Sequence, residues 1–196
     1  MNYLQLLPNE KSSKWKGYQN PSSYVWNGDE KLSERYLYKL NNKWSFERLE
    51  YRNLTDGKIP PIRSLGSCFI MFDAGIPNIM SLESNEVQLF PIYNNVSSHK
   101  YYILNTYEQV DCVDWEKSDV AKWKDDEILK EWHNKRGRWF FTPVLIGNKI
   151  PSNLDAFRLQ EWGSAFNIFI SEGLKDKIYS LDFDKSFLKF KDIEVI

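Results

Sequence analysis

Soft metal ligands are scarce in this chain. Two cysteines, Cys68 and Cys112, and two histidines, His99 and His133, are scattered over 196 residues. No CxxC, HExxH or other close pair of such ligands occurs, so neither a metal nor a zinc-based catalytic centre is expected. Each cysteine sits in an apolar stretch, Ser67-Cys68-Phe69-Ile70 and Val110-Asp111-Cys112-Val113. Both are expected to be reduced and buried. No apolar run approaches the ~20 residues that cross a bilayer as a helix. Met1 to Pro8 has no basic region and no small-residue cleavage site of the kind that marks a signal peptide. Cytoplasmic residence is therefore expected. A surplus of one charge is missing as well: 26 basic residues face 27 acidic ones, a net charge of −1. Counterion release on a polyanion needs a basic surplus, so nucleic acid is not an expected partner, and neither is a membrane. GxGxxG, P-loop and GxSxG patterns are absent, and no cofactor or catalytic residue is expected.

What is present is apolar and aromatic. The chain is 42% hydrophobic with 8 Trp, 11 Tyr and 12 Phe, enough to bury a core without disulfides or metals and too much for a disordered chain. A single domain over 1–196 is expected, with a strand-rich part over 1–100 and a second part over 101–196. Tyr3 to Leu7 reads as a strand stopped by Pro8. Asn9 to Glu34 is turn-rich but interleaved with Trp15, Tyr18, Tyr24 and Trp26, and reads as a long ordered loop packed by its own aromatics. Trp44 to Tyr51 has a mixed pattern. Cys68–Phe72 and Val87–Ile92 are clear strands. Tyr101–Leu104 and Gln109–Trp115, joined by Asn105-Thr106-Tyr107, have the spacing of an antiparallel hairpin. Trp139–Ile146, Ala156–Gln160, Phe166–Ile170 and Phe187–Phe190 read as further strands.

One longer helix is predicted over about 119–135. Ser118 or Asp119 would cap it and Gly137 end it. Ala121, Ile128 and Trp132 fall on one face, leaving Trp123 among Lys122, Lys124, Asp126 and Glu127 on the other. A short C-terminal helix, about 172–179, would be capped by Ser171, with Leu174 and Ile178 four apart. The expected fold is α+β, with a mostly antiparallel sheet and these two helices.

Charge is unevenly spread. From Glu108 to Glu127 eight acids face three bases, a local charge of −5. From Ile128 to Lys149 the balance is +4. The basic run His133 to Trp139 sits at the predicted helix C-terminus, where cations are favoured without any ligand. His99 and His133 lie in polar surroundings and read as solvated surface residues. The acidic window would steer a basic protein partner. Trp123 with Asp125, Asp126 and Glu127 is the candidate contact surface, because a tryptophan the core does not need is a preferred interface anchor.

Two stretches resemble a known family. Tyr101-Tyr102-Ile103-Leu104-Asn105 followed by Val110-Asp111-Cys112-Val113-Asp114-Trp115-Glu116-Lys117-Ser118 is similar to the central segment of an immunity-protein family of bacterial polymorphic toxin systems, formerly catalogued as a domain of unknown function. Asp114 and Ser118 stand where that family has an Asp and a strand-closing Ser. Ala156-Phe157-Arg158-Leu159 and Phe166-Asn167-Ile168-Phe169-Ile170-Ser171 resemble its Phe-Arg pair and its apolar strand running into a Ser-capped helix. Ser186-Phe187-Leu188-Lys189-Phe190 keeps the family's closing strand without its usual Gly. The resemblance covers Tyr101 to Ile196. It implies binding to, and neutralisation of, the C-terminal domain of a cognate toxin, with no catalysis. Two alternatives stand beside it. One is a carboxylate-dependent hydrolase using acids such as Asp111 and Asp114, read as neighbours on one strand. The other is a ligand or carbohydrate module with an aromatic groove near Trp15, Tyr18, Tyr24 and Trp26.

Overall fold

A computed structural model describes residues 2–9, 17–33, 36–37, 40, 42–129, 136–160 and 167–196. The first half holds strands β1 (Tyr3–Pro8), β2 (Pro21–Asn27), β3 (Glu30–Ser33), β4 (Leu49–Asn53), β5 (Ile62–Leu65), β6 (Phe69–Asp73), β7 (Val87–Asn94) and β8 (Lys100–Thr106). The second half adds β9 (Gln109–Val110), β10 (Asp119–Ala121), β11 (Trp139–Thr142), β12 (Val144–Leu145), β13 (Ala156–Leu159) and β14 (Phe169–Ser171). It closes with helix α1 (Glu172–Ser180), β15 (Leu188–Asp192) and β16 (Glu194–Val195).

Alternation decides the architecture. In β6, Phe69 and Met71 face one way and Ile70 and Phe72 the other, and all four are buried, because both faces of the sheet are covered there. β6 belongs to a seven-stranded sheet of order β3-β2-β4-β7-β8-β6-β5. Only the β4/β7 pair in it is parallel. A second sheet has the order β15-β1-β14-β13-β9. Its β13/β9 pair is parallel and the rest antiparallel. The first core lies between the two sheets: Leu4 and Leu6 of β1, Ile70 and Phe72 of β6, Leu89, Leu104 and Ile170, closed by Leu174 and Ile178 of α1. A second core on the other face of the seven-stranded sheet gathers Val25, Leu49, Tyr51, Met71, Ile92, Tyr101 and Ile103 under Leu37 and Trp44. A third, with Tyr3, Cys112, Val113, Phe157 and Phe169, backs the five-stranded sheet.

The seven-stranded sheet curls, bringing β5, last in its order, against β2. Inside that curl sits Arg63, with no solvent exposure. Its guanidinium lies 5.1 Å from the Tyr51 ring centroid and 5.3 Å from that of Tyr101. Nη2 donates to Asn53 Oδ1 at 3.1 Å and to the Gln19 carbonyl at 3.3 Å. Burial holds its pKa below the ordinary arginine value, opposed by the two tyrosines. The same burial raises the phenol of Tyr101, which donates to the Pro60 carbonyl at 2.6 Å.

Three expectations are corrected. The fold is mostly β, not α+β with a long helix: the described residues are 43% strand and 12% helical. Over the predicted helix 119–135 the chain instead forms β10, then a turn at Asp125-Asp126, while 130–135, with Trp132 and His133, lie outside the described residues. Ile128, assigned to the core face of that helix, is 90% exposed. Val120 packs against the third core and pairs across to Phe140 of β11. A non-local partner strand thus outweighs a helix whose nucleus is unfavourable to form. The Asn9–Glu34 loop contains the hairpin β2–β3, turned by Gly28-Asp29. Gly28 has φ +61° at the first turn position, the conformation a two-residue hairpin loop assigns to glycine. Third, Tyr101–Leu104 and Gln109–Trp115 do not form a hairpin. β8 pairs with β7 and β6, whereas β9 pairs with β13 of the other sheet.

Candidate partner-binding surface

The residues that carry the family resemblance do structural work. Asp114 Oδ1 accepts from the amides of Glu116 and Lys117, both at 3.0 Å. The Ser118 hydroxyl donates to the Asp114 carbonyl and accepts from the Val144 amide at 2.9 Å. The Asp114 amide in turn donates to the Val144 carbonyl at 2.9 Å. Asp and Ser four apart thus close a turn and tie it to β12. Arg158 is buried in β13 and donates to the Leu40 carbonyl at 3.3 Å. The Ser171 side chain accepts from Leu174 N at 3.1 Å, the N-cap of α1, and donates to Asp155 Oδ1 at 2.9 Å.

The turn clamped by Asp114 and Ser118 leads into the β10–β11 hairpin, where the sequence-predicted contact residues lie. Arg138 organises them. Its amide donates to the Ala121 carbonyl at 2.7 Å, extending the hairpin. Its guanidinium lies 5.6 Å from the Trp123 ring centroid and its Nη1 3.6 Å from Glu127 Oε1. Glu127 N donates to the Lys124 carbonyl at 3.0 Å, and Glu127 Oε2 accepts from Lys124 N at 3.0 Å. Residues 124–127 are therefore a β-turn with Asp125 and Asp126 at its two exposed central positions. The four predicted residues are brought into one segment but do not act alike. Trp123 is half-buried against Arg138, Glu127 is consumed in holding the turn, and only Asp125 and Asp126 present open carboxylates. Sequence reasoning missed Arg138 as their organiser and misplaced Ile128, which projects into solvent beside the turn. Phe141 of β11 is also exposed, at 57%. The signal available was Gly137 next to Arg138: a Cβ there would overlap Val120 Cγ1, as at a close hairpin crossing.

The alternatives fare differently. Asp111 is exposed and Asp114 has its carboxylate engaged by two amides, so the two do not form a reacting pair. Trp15 lies outside the described residues. Tyr18 packs edge-on against Phe187 at 5.4 Å, whereas Tyr24 and Trp26 lie on the outer face of β2, so these aromatics do not line one groove. His99 is paired, its Nε2 3.2 Å from Asp73 Oδ2, and is not a freely solvated side chain. Among the described residues no group of three or more His, Cys, Asp or Glu could hold a metal ion, and no helix is long and apolar enough to cross a membrane.

The described residues form packed sheets in which Asp114, Ser118 and Ser171 cap and clamp local turns, with an exposed acidic turn at Asp125-Asp126. The immunity protein family Imm11 matches residues 90–195. The match covers more than half of the chain, and the chain belongs to that family. No curated protein matches it.

Proposed function

We propose that the chain neutralises a cognate bacterial toxin domain by direct contact, without catalysis, and that the turn from Trp123 to Ile128 belongs to the contact surface. The observation that carries this is the turn itself. Trp123, Arg138 and Glu127 hold it, and it offers two carboxylates and an apolar side chain to solvent. Such a surface meets a toxin domain of basic character, with the carboxylates acting mainly on encounter rate and the apolar groups on residence time. Family membership supports a toxin partner in general.

The test is co-expression with the toxin domain encoded beside the gene, with growth and affinity read together. Asp125→Lys with Asp126→Lys should slow association, with the effect shrinking at high salt. Trp123→Ala should weaken binding by about 30-fold, the equivalent of the ~2 kcal/mol carried by an interface tryptophan. Variants that keep their melting temperature, full affinity and full protection would remove this turn from the interface.

A further inference from the structure

A second surface, on the other side of the sequence, carries a different chemistry. The seven-stranded sheet is wider than the five-stranded sheet that covers it: the first core draws no residue from β2, β3 or β4. On the face opposite the second core, those strands alternate outward residues with the buried Val25, Leu49 and Tyr51. The register places Lys31, Trp26, Glu50, Tyr93 and Lys100 in one row across β3, β2, β4, β7 and β8. Cations lie over the rings of this face: Lys31 Nζ is 3.9 Å from the Tyr24 centroid, the Arg52 guanidinium 4.1 Å from Trp26, and the Arg48 guanidinium 4.6 Å from Tyr93. Lys100 Nζ donates to Tyr102 Oη at 3.1 Å. Glu50, paired with Arg48 Nε at 2.9 Å, is the acid of the row. Among the described residues of this row and its rings, four cations, Lys31, Arg48, Arg52 and Lys100, thus accompany one carboxylate, Glu50, in a chain whose net charge is −1.

We propose that this outer sheet face is a docking surface for an acidic protein segment, independent of the turn at 123–128. A guanidinium stacked on a ring keeps its N–H edge pointing outward in a fork that matches a carboxylate, and the ring fixes its orientation in advance. The same stacking argues against single-stranded nucleic acid, because the cations occupy ring faces on which bases would stack. Carboxylates spaced along an extended chain would meet the row of cations that the strand register sets out.

The test uses a short glutamate-rich peptide carrying a fluorophore, with oligouridylate and a lysine-rich peptide as competitors, and anisotropy read at low and at physiological salt. The glutamate peptide should bind the full chain. Arg48→Glu with Arg52→Glu should weaken it at least tenfold, and Arg52→Lys, which keeps charge but loses the fork, should fall between. Lys58→Glu with Lys175→Glu, an equal charge change elsewhere, should leave binding within about twofold. Melting temperatures separate lost binding from lost folding, and Lys31→Ala provides a milder variant of the same row. The proposal is overturned if the peptide does not bind, if the Lys58/Lys175 pair matters as much as the Arg48/Arg52 pair, or if oligouridylate binds more tightly than the peptide.

Discussion

Replacing Arg63 tests whether the curled sheet needs a charge in its interior or only a filled volume. The side chain is fully buried between two tyrosine rings and donates to two acceptors, Asn53 Oδ1 and the Gln19 carbonyl. Arg63→Ala removes most of that volume and orphans both acceptors. Truncating a buried side chain of this size costs about 3–5 kcal/mol. Arg63→Met fills most of the space. It leaves the two acceptors unmet, at roughly 1–3 kcal/mol each if water does not reach them. Against that, it removes a buried cation whose lowered pKa reports the desolvation it bears. Relief of buried charge by a well-packed apolar residue is worth about 1–4 kcal/mol. The two effects nearly cancel, so Arg63→Met should lie within about 2 kcal/mol of the wild type and well above Arg63→Ala. Urea unfolding followed by tryptophan fluorescence gives both values, with the slope checking that the transitions stay comparable. Equal losses for Met and Ala would refute the reasoning and show that the guanidinium's own bonds hold the curl. An Ala variant within about 1 kcal/mol of the wild type would show that the interior simply collapses.

Three further outcomes are expected. Ser171→Ala should cost about 1 kcal/mol, since it removes the acceptor for Leu174 N at the start of α1, and denaturant melts with Ser171→Thr, which keeps the hydroxyl that also donates to Asp155, as the rescuing control check this. Gly137→Ala should destabilise by about 1–3 kcal/mol, because a Cβ there overlaps Val120 Cγ1 at the hairpin crossing; a neutral melt would show the crossing is loose. Stability should fall in alkali: burial pushes the Cys112 thiol from 9.0 up to about 12 and raises the phenols of Tyr3, Tyr51 and Tyr101. Raised pKa values in the folded chain mean this contribution is complete below about pH 9 and is lost as pH climbs towards about 12, measured as a falling urea midpoint and, for Cys112, as slow thiol labelling under native conditions.

Much of the local structure was legible along the chain. Tyr3–Leu7, Cys68–Phe72 and Val87–Ile92 announce strands by alternation or continuous apolar character, and each forms one. Ser171 before Glu172-Gly173-Leu174 announces a capped helix, and α1 starts there. The stretches around Asp114–Ser118 and Ala156–Ser171 carry the family resemblance that the Imm11 match bears out. For the proposed contact surface, the sequence offered candidate residues without their arrangement. Asp125 and Asp126 are exposed as expected, on a turn and not on a helix.

What the sequence by itself determined about this protein is which side chains want water and which do not, and the local signals that start and stop elements: these depend on residue type and spacing alone. What only the tertiary structure decided is which strands meet. A period of two says that a strand has an inner face without saying against which sheet it lies. So β8 and β9, two residues apart in the chain, enter different sheets, and β1 seats itself between β14 and β15 from the opposite end of the sequence. The segment 119–129 shows the same limit from the other side. Its apolar spacing fits a helical face, yet the pairing of Asp119–Ala121 with Trp139–Thr142 leaves Ile128 in solvent and turns Trp123 onto Arg138. Pairing energy between distant segments is a property of the assembled fold, and no local periodicity contains it.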